Sequence, residues 1–404
     1  MLSGIDQLHG SSLSNLRRRL RDARVGVLTH AATLDRRGRG TLAVLEELGA
    51  GPSVIFSPEH GLAGAAQAFE AVAGSGEATS GPAVVSLYGA ERASLTPSAE
   101  HLAQLDLLVI DLADVGSRYY TYVWSALLAL RAAAAAGVHT VVLDRPNPIS
   151  GDPETLEGAP QADGFLSFVG LEPLPIRHAH TLGELLARFA ESGGLALGAE
   201  GALSVVPTRG WERHRTAEAW SRPFIPPSPN MPTLETALVY PGACLLEGTS
   251  LSEGRGTTTP FQMVGAPHLD GAALAARLTE SGVVGALVRP VSFIPTFDKF
   301  AGQLCHGVML HVTSAALFRP VAAYLRLIAF AREQAPERFA FRTEPYEFET
   351  EIPAFDLLTG SGAARQALEG GRSADELVEL VAPVDPSWKD AVREAEARLE
   401  RAQA

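Results

Sequence analysis

The chain has 404 residues, 46% of them hydrophobic, and its 46 carboxylates outnumber 33 lysines and arginines to give a formal charge of −13. That length can bury a large core and suits two domains. The acidic balance argues against nonspecific nucleic-acid binding, which depends on neutralising phosphates, and leaves a small or neutral ligand such as a sugar open.

Two cysteines, Cys244 and Cys305, make neither a disulfide framework nor a zinc site and read as buried free thiols. From Met1 to Arg24 the basic stretch Arg17 to Arg21 is followed by no apolar core, so no signal peptide is read and the expected location is the cytoplasm. The apolar run at Ala132 to Ala136 is broken by Arg131, Gly137 and His139, and it is too short to span a bilayer.

Leu13 to Ala23 reads as an amphipathic helix and Val25 to Thr29 as a buried strand; a polar loop, His30 to Gly40, leads to a helix from Thr41 to Leu48. Ser53 to Phe56 is the second strand. It runs into Ser57-Pro58-Glu59-His60-Gly61, where proline stops the ladder and glycine permits a sharp path, so an acid and a base are presented in a tight loop. The Gly/Ala-rich stretch from Leu62 to Pro82 is long enough to be a lid or wall.

Further strands are expected at Ala83 to Leu87, Leu107 to Leu112, His139 to Leu143 and Leu203 to Val206, and helices at Pro97 to Leu105, Tyr122 to Ala136 and Thr181 to Glu191. This alternation predicts an α/β domain, a mostly parallel sheet with helices on both faces, over residues 1–232. The proline-dense segment Pro223 to Pro232 reads as a rigid connector. After it, residues 233–404 read as a smaller α+β domain. It has a polar loop at Glu247 to Pro260, helices at Asp270 to Leu278 and Phe318 to Gln334, a strand at Val308 to Val312 and terminal helices.

Ligands of open parallel sheets bind beyond the carboxyl ends of the strands. Thr29-His30, Glu59-His60, Asp111 with Asp114, and Asp144-Arg145 all fall there. Crowded carboxylates suit acid–base or nucleophilic work. Asp111 and Asp144 are nevertheless read first as helix caps or as partners of Arg118 and Arg145. His178 and His180 would share a strand face but lack a third ligand of matching spacing, so no metal is expected. No G-x-G-x-x-G follows the first strand, the Glu247 to Thr257 loop lacks the P-loop lysine, and no G-x-S-x-G elbow is present. No cofactor is expected.

Several strings carry a specific resemblance: Phe56-Ser57-Pro58-Glu59-His60-Gly61-Leu62, Ser86-Leu87-Tyr88-Gly89, the run Asp114 to Tyr122, and Leu143 to Ile149. Pro226 to Thr233 and Leu251 to Thr258 complete the series. In this order the chain resembles the NamZ-type family of exo-β-N-acetylmuramidases, peptidoglycan glycosidases that release N-acetylmuramic acid from a non-reducing end. The resemblance implies a Rossmann-like amino-terminal domain, a smaller carboxy-terminal one, and a cleft between them that takes a muropeptide or a MurNAc–GlcNAc disaccharide. It makes Glu59 the leading catalytic candidate, with His60 beside it. His30, Ala113, His180 and Ser250 depart from the family's usual residues.

On this reading Glu59 is expected as general acid, with Asp114 or Glu253 as the second catalytic group, or the substrate's own N-acetyl group in its place. Carboxyl groups about 5–5.5 Å apart would mean retention and roughly 6.5–9.5 Å inversion. The lactyl carboxylate of muramic acid calls for an arginine fork: Arg255, Arg118 or Arg145. Tyr119, Asn147, His178 and Asn230, within or beside these strings, are expected to contact substrate. The competing expectation is a non-hydrolytic glycan- or nucleotide-sugar-binding protein, or a glycosyltransferase, on the same fold.

Overall fold

The computed structural model describes residues 1–67, 70 and 81–403. Six short apolar runs become one parallel sheet: β1 Val25–Leu28, β2 Val54–Ser57, β3 Ala83–Ser86, β4 Leu107–Ile110, β5 His139–Leu143 and β6 Leu203–Val206. Their order, β3-β2-β1-β4-β5-β6, is that of a doubly wound Rossmann sheet, with its switch point between β1 and β4. Continuous Val, Ile and Leu suit strands covered on both faces. Alternate residues serve the two sides. Val25, Val27, Leu107 and Val109 pack with Leu16, Leu20, Val44 and Leu45 of the helices Ser14–Asp22 and Thr41–Glu47. Leu28, Phe56, Leu108 and Ile110 face the helices Tyr122–Ala135 and Leu182–Ser192.

A smaller antiparallel sheet, order β7-β9-β8, follows: β7 Met263–Ala266, β8 Ala286–Phe293 and β9 Cys305–Val312. Of these, only the end of β9 was legible in the sequence. β8 is an edge strand with Pro290 in it and Leu287 exposed, so neither apolar period nor turn chemistry marks it. Pro241 likewise hid the helix Leu234–Ala243, which carries it inside.

One hydrophobic core runs through both sheets. The buried Glu157 carboxylate, in the first half of the chain, accepts from Val321 N (3.1 Å) and Ala322 N (2.7 Å) at the start of the helix Pro320–Gln334. Burial pushes that carboxyl up to about 7. The last helix, Ala395–Arg401, returns to the first sheet, where Arg398 and Arg401 pair with Glu191 at 2.8 and 2.7 Å. The Leu62 to Pro82 wall expected from the sequence lies largely outside the described residues. Among the described residues no helix is long and apolar enough to cross a membrane.

Gly242 sets the contact between the helices Leu234–Ala243 and Pro320–Gln334, because a Cβ there would sit 2.0 Å from the Pro320 carbonyl oxygen. Gly242→Ala should therefore cost about 1–3 kcal/mol of stability, the usual penalty of overpacking, read from denaturant unfolding.

Candidate active site

Glu59 leaves β2 through Pro58. His60 and Gly61 then take positive φ, 68° and 75°, a path uncommon for a residue with a Cβ. This turn sends the Glu59 carboxylate inward, where Thr121 Oγ1, just ahead of the helix Tyr122–Ala135, donates to its Oε2 at 2.7 Å. The Tyr122 hydroxyl ties the Glu59 carbonyl (3.2 Å) and the Pro227 carbonyl (2.9 Å) together, fixing this loop to the proline-rich connector. His60 Nε2 lies 4.0 Å from Glu59 Oε1, and its Nδ1 is 2.8 Å from the Ala66 carbonyl oxygen.

The opposite wall comes from the second half of the chain. Glu347 stands in left-handed backbone, φ 48°, beside Phe348 at 65°. The Tyr88 hydroxyl, just beyond β3, donates to Glu347 Oε2 at 2.9 Å. Burial pushes the Glu347 carboxyl well above the usual carboxylate range, and the negative charge of Glu59 adds to the push. Beside it Arg255 Nη2 donates to Glu247 Oε1 (2.6 Å) and Nε to Glu253 Oε1 (3.2 Å), while Tyr346 Oη donates to Glu247 Oε2 (2.7 Å). Burial alone would lower the Arg255 guanidinium, but Glu247 and Glu253 outweigh it and hold the side chain charged. These walls form a pocket lined also by Tyr119, Tyr120, Ser228, Asn230 and Tyr240.

Of the residues expected from the sequence, Glu59, His60, Tyr119, Asn230 and Arg255 meet in this pocket. The others lie elsewhere. Arg118 is 1% exposed and outside the pocket lining, with Nη1 and Nη2 donating to the carbonyls of Ala159, Leu174 and Leu358. Arg145 binds Asp111 through Nε (2.5 Å) and Nη2 (2.9 Å), the ion pair weighed from the sequence. Asp144 caps the helix Leu182–Ser192 by accepting from Thr181 Oγ1 and Gly183 N, both at 2.8 Å. Burial, with Glu184 nearby, pushes its carboxyl up to about 7.

Glu253 is buried behind Arg255 and also bonded to Lys299 (3.0 Å), an ion-pair partner outside the pocket lining. Burial raises its carboxyl, but Lys299 and Arg255 together bring it below the ordinary value. Asp114 accepts from Gly116 N at 2.7 Å and lies 3.4 Å from His178 Nε2, on the wall of a different cavity. His178 and His180 are fully buried, with His180 Nδ1 2.6 Å from the His178 carbonyl. Asn147 bonds the His180 carbonyl and Ile149 N in a buried turn.

Glu347, Glu247, Tyr346 and Thr121 were not singled out from the sequence. Thr121 lies inside the Asp114 to Tyr122 string and Glu247 opens the polar loop. Glu347 had only an aromatic–acidic cluster, Tyr346 to Glu349, to mark it.

Family models for the amino- and carboxy-terminal domains of the exo-beta-N-acetylmuramidase NamZ match residues 25–235 and 238–395. The chain belongs to the NamZ family. It is 37% identical over 380 residues, 93% of its own length and 86% of the other's, to the peptidoglycan beta-N-acetylmuramidase NamZ of Bacillus subtilis (strain 168). Crystal structures of two DUF1343 family proteins from Bacteroides fragilis NCTC 9343 share the fold. One has a TM-score of 0.82 at 27% identity, covering 98% of each chain; the other has 0.69 at 26%, covering 100% of this chain and 98% of that one.

Family membership makes this fold that of a glycosidase, and the Ser-Leu-Tyr-Gly string acquires a physical role through Tyr88. The family departures lie outside the pocket of Glu59 and Glu347. His30 Nε2 accepts from Ala113 N (3.0 Å), so two of the changed positions touch each other. Burial lowers the His30 imidazole to about 3, with Arg145 and His60 contributing. Ser250 Oγ accepts from Ala340 N at 2.9 Å.

Proposed function

We propose that the protein is an exo-acting glycoside hydrolase that releases N-acetylmuramic acid from the non-reducing end of peptidoglycan fragments, muropeptides or the MurNAc–GlcNAc disaccharide, in cell-wall turnover. The observation that carries the mechanism is the meeting of Glu59 and Glu347 in one buried pocket, where the Glu59 charge opposes ionisation of Glu347. A carboxyl so raised keeps a proton, the form a glycosidase's general acid needs. Glu347 holds it and delivers it to the glycosidic oxygen. Glu59, oriented by Thr121, supplies the carboxylate that activates water or attacks the anomeric carbon. This assignment exchanges the acid role expected for Glu59 and names the second group.

Arg255 reads the lactyl carboxylate. Its Nη2 and Nε are occupied, and Nη1 has no hydrogen-bond partner among the described residues. The Tyr88 bond favours the ionised form of Glu347. Tyr88→Phe should thus move the alkaline limb of the pH–rate profile to higher pH, with a stability loss of about 1 kcal/mol, the net worth of one hydrogen bond. Release from a chromogenic N-acetylmuramide, and not from its glucosaminide counterpart, is the expected result. Release from neither would overturn the reading.

A further inference from the structure

Six of the eight large hydrophobic side chains exposed among the described residues fall in one stretch: Val284, Leu287, Ile294, Phe297, Leu304 and Leu317. Single exposed leucines are ordinary, but a cluster marks an interaction surface. This one belongs to β8, the edge strand of the small sheet, and to the loops at its two ends. Thr313 N donates to the Gly285 carbonyl at 2.8 Å, which brings the loops of Val284 and Leu317 together at one end. At the other, Phe293 pairs with Cys305, so Ile294 and Leu304 leave the sheet side by side. Leu287, 58% exposed, lies on the strand between these ends.

The loop after β8 is braced in place. Thr296 donates to the Gly256 carbonyl through N (3.1 Å) and Oγ1 (2.9 Å). Lys299 Nζ donates to the carbonyls of Leu246 (2.9 Å) and Leu251 (3.1 Å) and to the Glu253 carboxylate (3.0 Å). These bonds fix the loop to the segment that carries Arg255 and leave Phe297 on the outside. The surface is also nearly free of charge. Residues 281–297 and 300–318 hold one charged side chain, Arg289, besides two histidines, in a chain that is 20% charged. Arg289 lies back over β9, its Nε donating to His311 Nε2 (2.9 Å) and its Nη2 to Met309 Sδ (3.3 Å).

We infer that two copies of the chain meet here, about a two-fold axis beside β8. In such a contact the same patch serves both partners, and a strip without carboxylates meets itself without burying like charges, although each chain carries −13. The same acidity argues against an anionic lipid surface, which calls for clustered lysines and arginines. Eight residues of strand run about 27 Å, close to the width of the roughly 800 Å² that each partner buries in a standard interface. Pro290 lacks the N–H that a ladder across the free edge of β8 would use, so the copies join through side chains.

Sedimentation velocity of the full chain over a concentration series tests this. The expected result is a dimer with a dissociation constant on the order of a micromolar. Each substitution counts twice in a two-fold contact, so Leu287→Glu should weaken association about a hundredfold, and Ile294→Glu should do likewise. Both side chains are exposed in the single chain, so the circular-dichroism spectrum should not change. Leu380→Glu, equally open on the helix Ala374–Val381, should leave the dimer intact. A wild type that stays monomeric, whether or not it binds phosphatidylcholine vesicles instead, would overturn the inference. So would a dimer that survives Leu287→Glu and Ile294→Glu together, or one lost equally in Leu380→Glu.

Discussion

Glu347→Gln is expected to lower turnover of an N-acetylmuramide by about a hundred- to ten-thousandfold, the usual contribution of a positioned general acid, with little change in substrate binding. Glu59→Gln should be comparably damaging, and the double variant little worse than either, because the two act as one unit. The pH dependence separates their roles. Burial and then the Glu59 charge raise the Glu347 carboxyl, so the wild-type rate should fall as pH rises through that value. Residual activity of Glu59→Gln should lose its alkaline limb at lower pH, since the repelling charge has gone. Near-normal hydrolysis by Glu347→Gln would sink the acid assignment.

The same shift has a consequence for stability with the opposite sign. A carboxyl whose folded value is raised binds its proton more tightly in the native state. Its contribution is fully present below the unfolded value, about 4.3 for glutamate, and is lost as pH rises through the folded one. Glutamine has no proton to lose. Glu347→Gln should melt above the wild type at alkaline pH, and the gap should close under acid conditions, a pattern of stability withheld at a catalytic position.

The strands of the first sheet were legible because strands buried between helices read as unbroken apolar runs, and Glu59 because proline ends its strand and glycine follows. Local chemistry wrote both. Glu347 is different: it follows no strand, no periodic segment leads into it, and only the tertiary approach of Tyr88 and Glu59 singles it out. Arg118 and Glu253 pose the converse problem. Arg118 reads from its motif as a substrate contact and Glu253 as a catalytic candidate, yet Arg118 bonds three backbone carbonyls and Glu253 pairs with Arg255 and Lys299, outside the pocket lining. Asp111 and Asp144 were read correctly as structural, since an aspartate at a strand end beside an arginine or a helix start has an obvious local partner.

Arg255→Ala should be the most damaging change on the far wall. Its side chain is 8% exposed and balances Glu247 and Glu253; removing one partner of a buried ion pair typically costs about 3–5 kcal/mol. Tyr346 still donates to Glu247 and Lys299 to Glu253, so the loss should fall near the lower bound. Discrimination between the muramic and glucosamine substrates should vanish along with it. Arg255→Lys separates the two effects: it restores a cation and much of the stability, but a single ammonium cannot hold Glu247 and Glu253 and still aim a separate donor at the lactyl group, as Nη1 of the guanidinium would. Its KM for the muramide should therefore stay high while its melting temperature recovers, and intact discrimination in that variant would mean the lactyl group is read elsewhere. The arginine's charge also lowers Glu347, so in Arg255→Ala the alkaline limb should move to higher pH, a displacement that loss of packing alone would not produce.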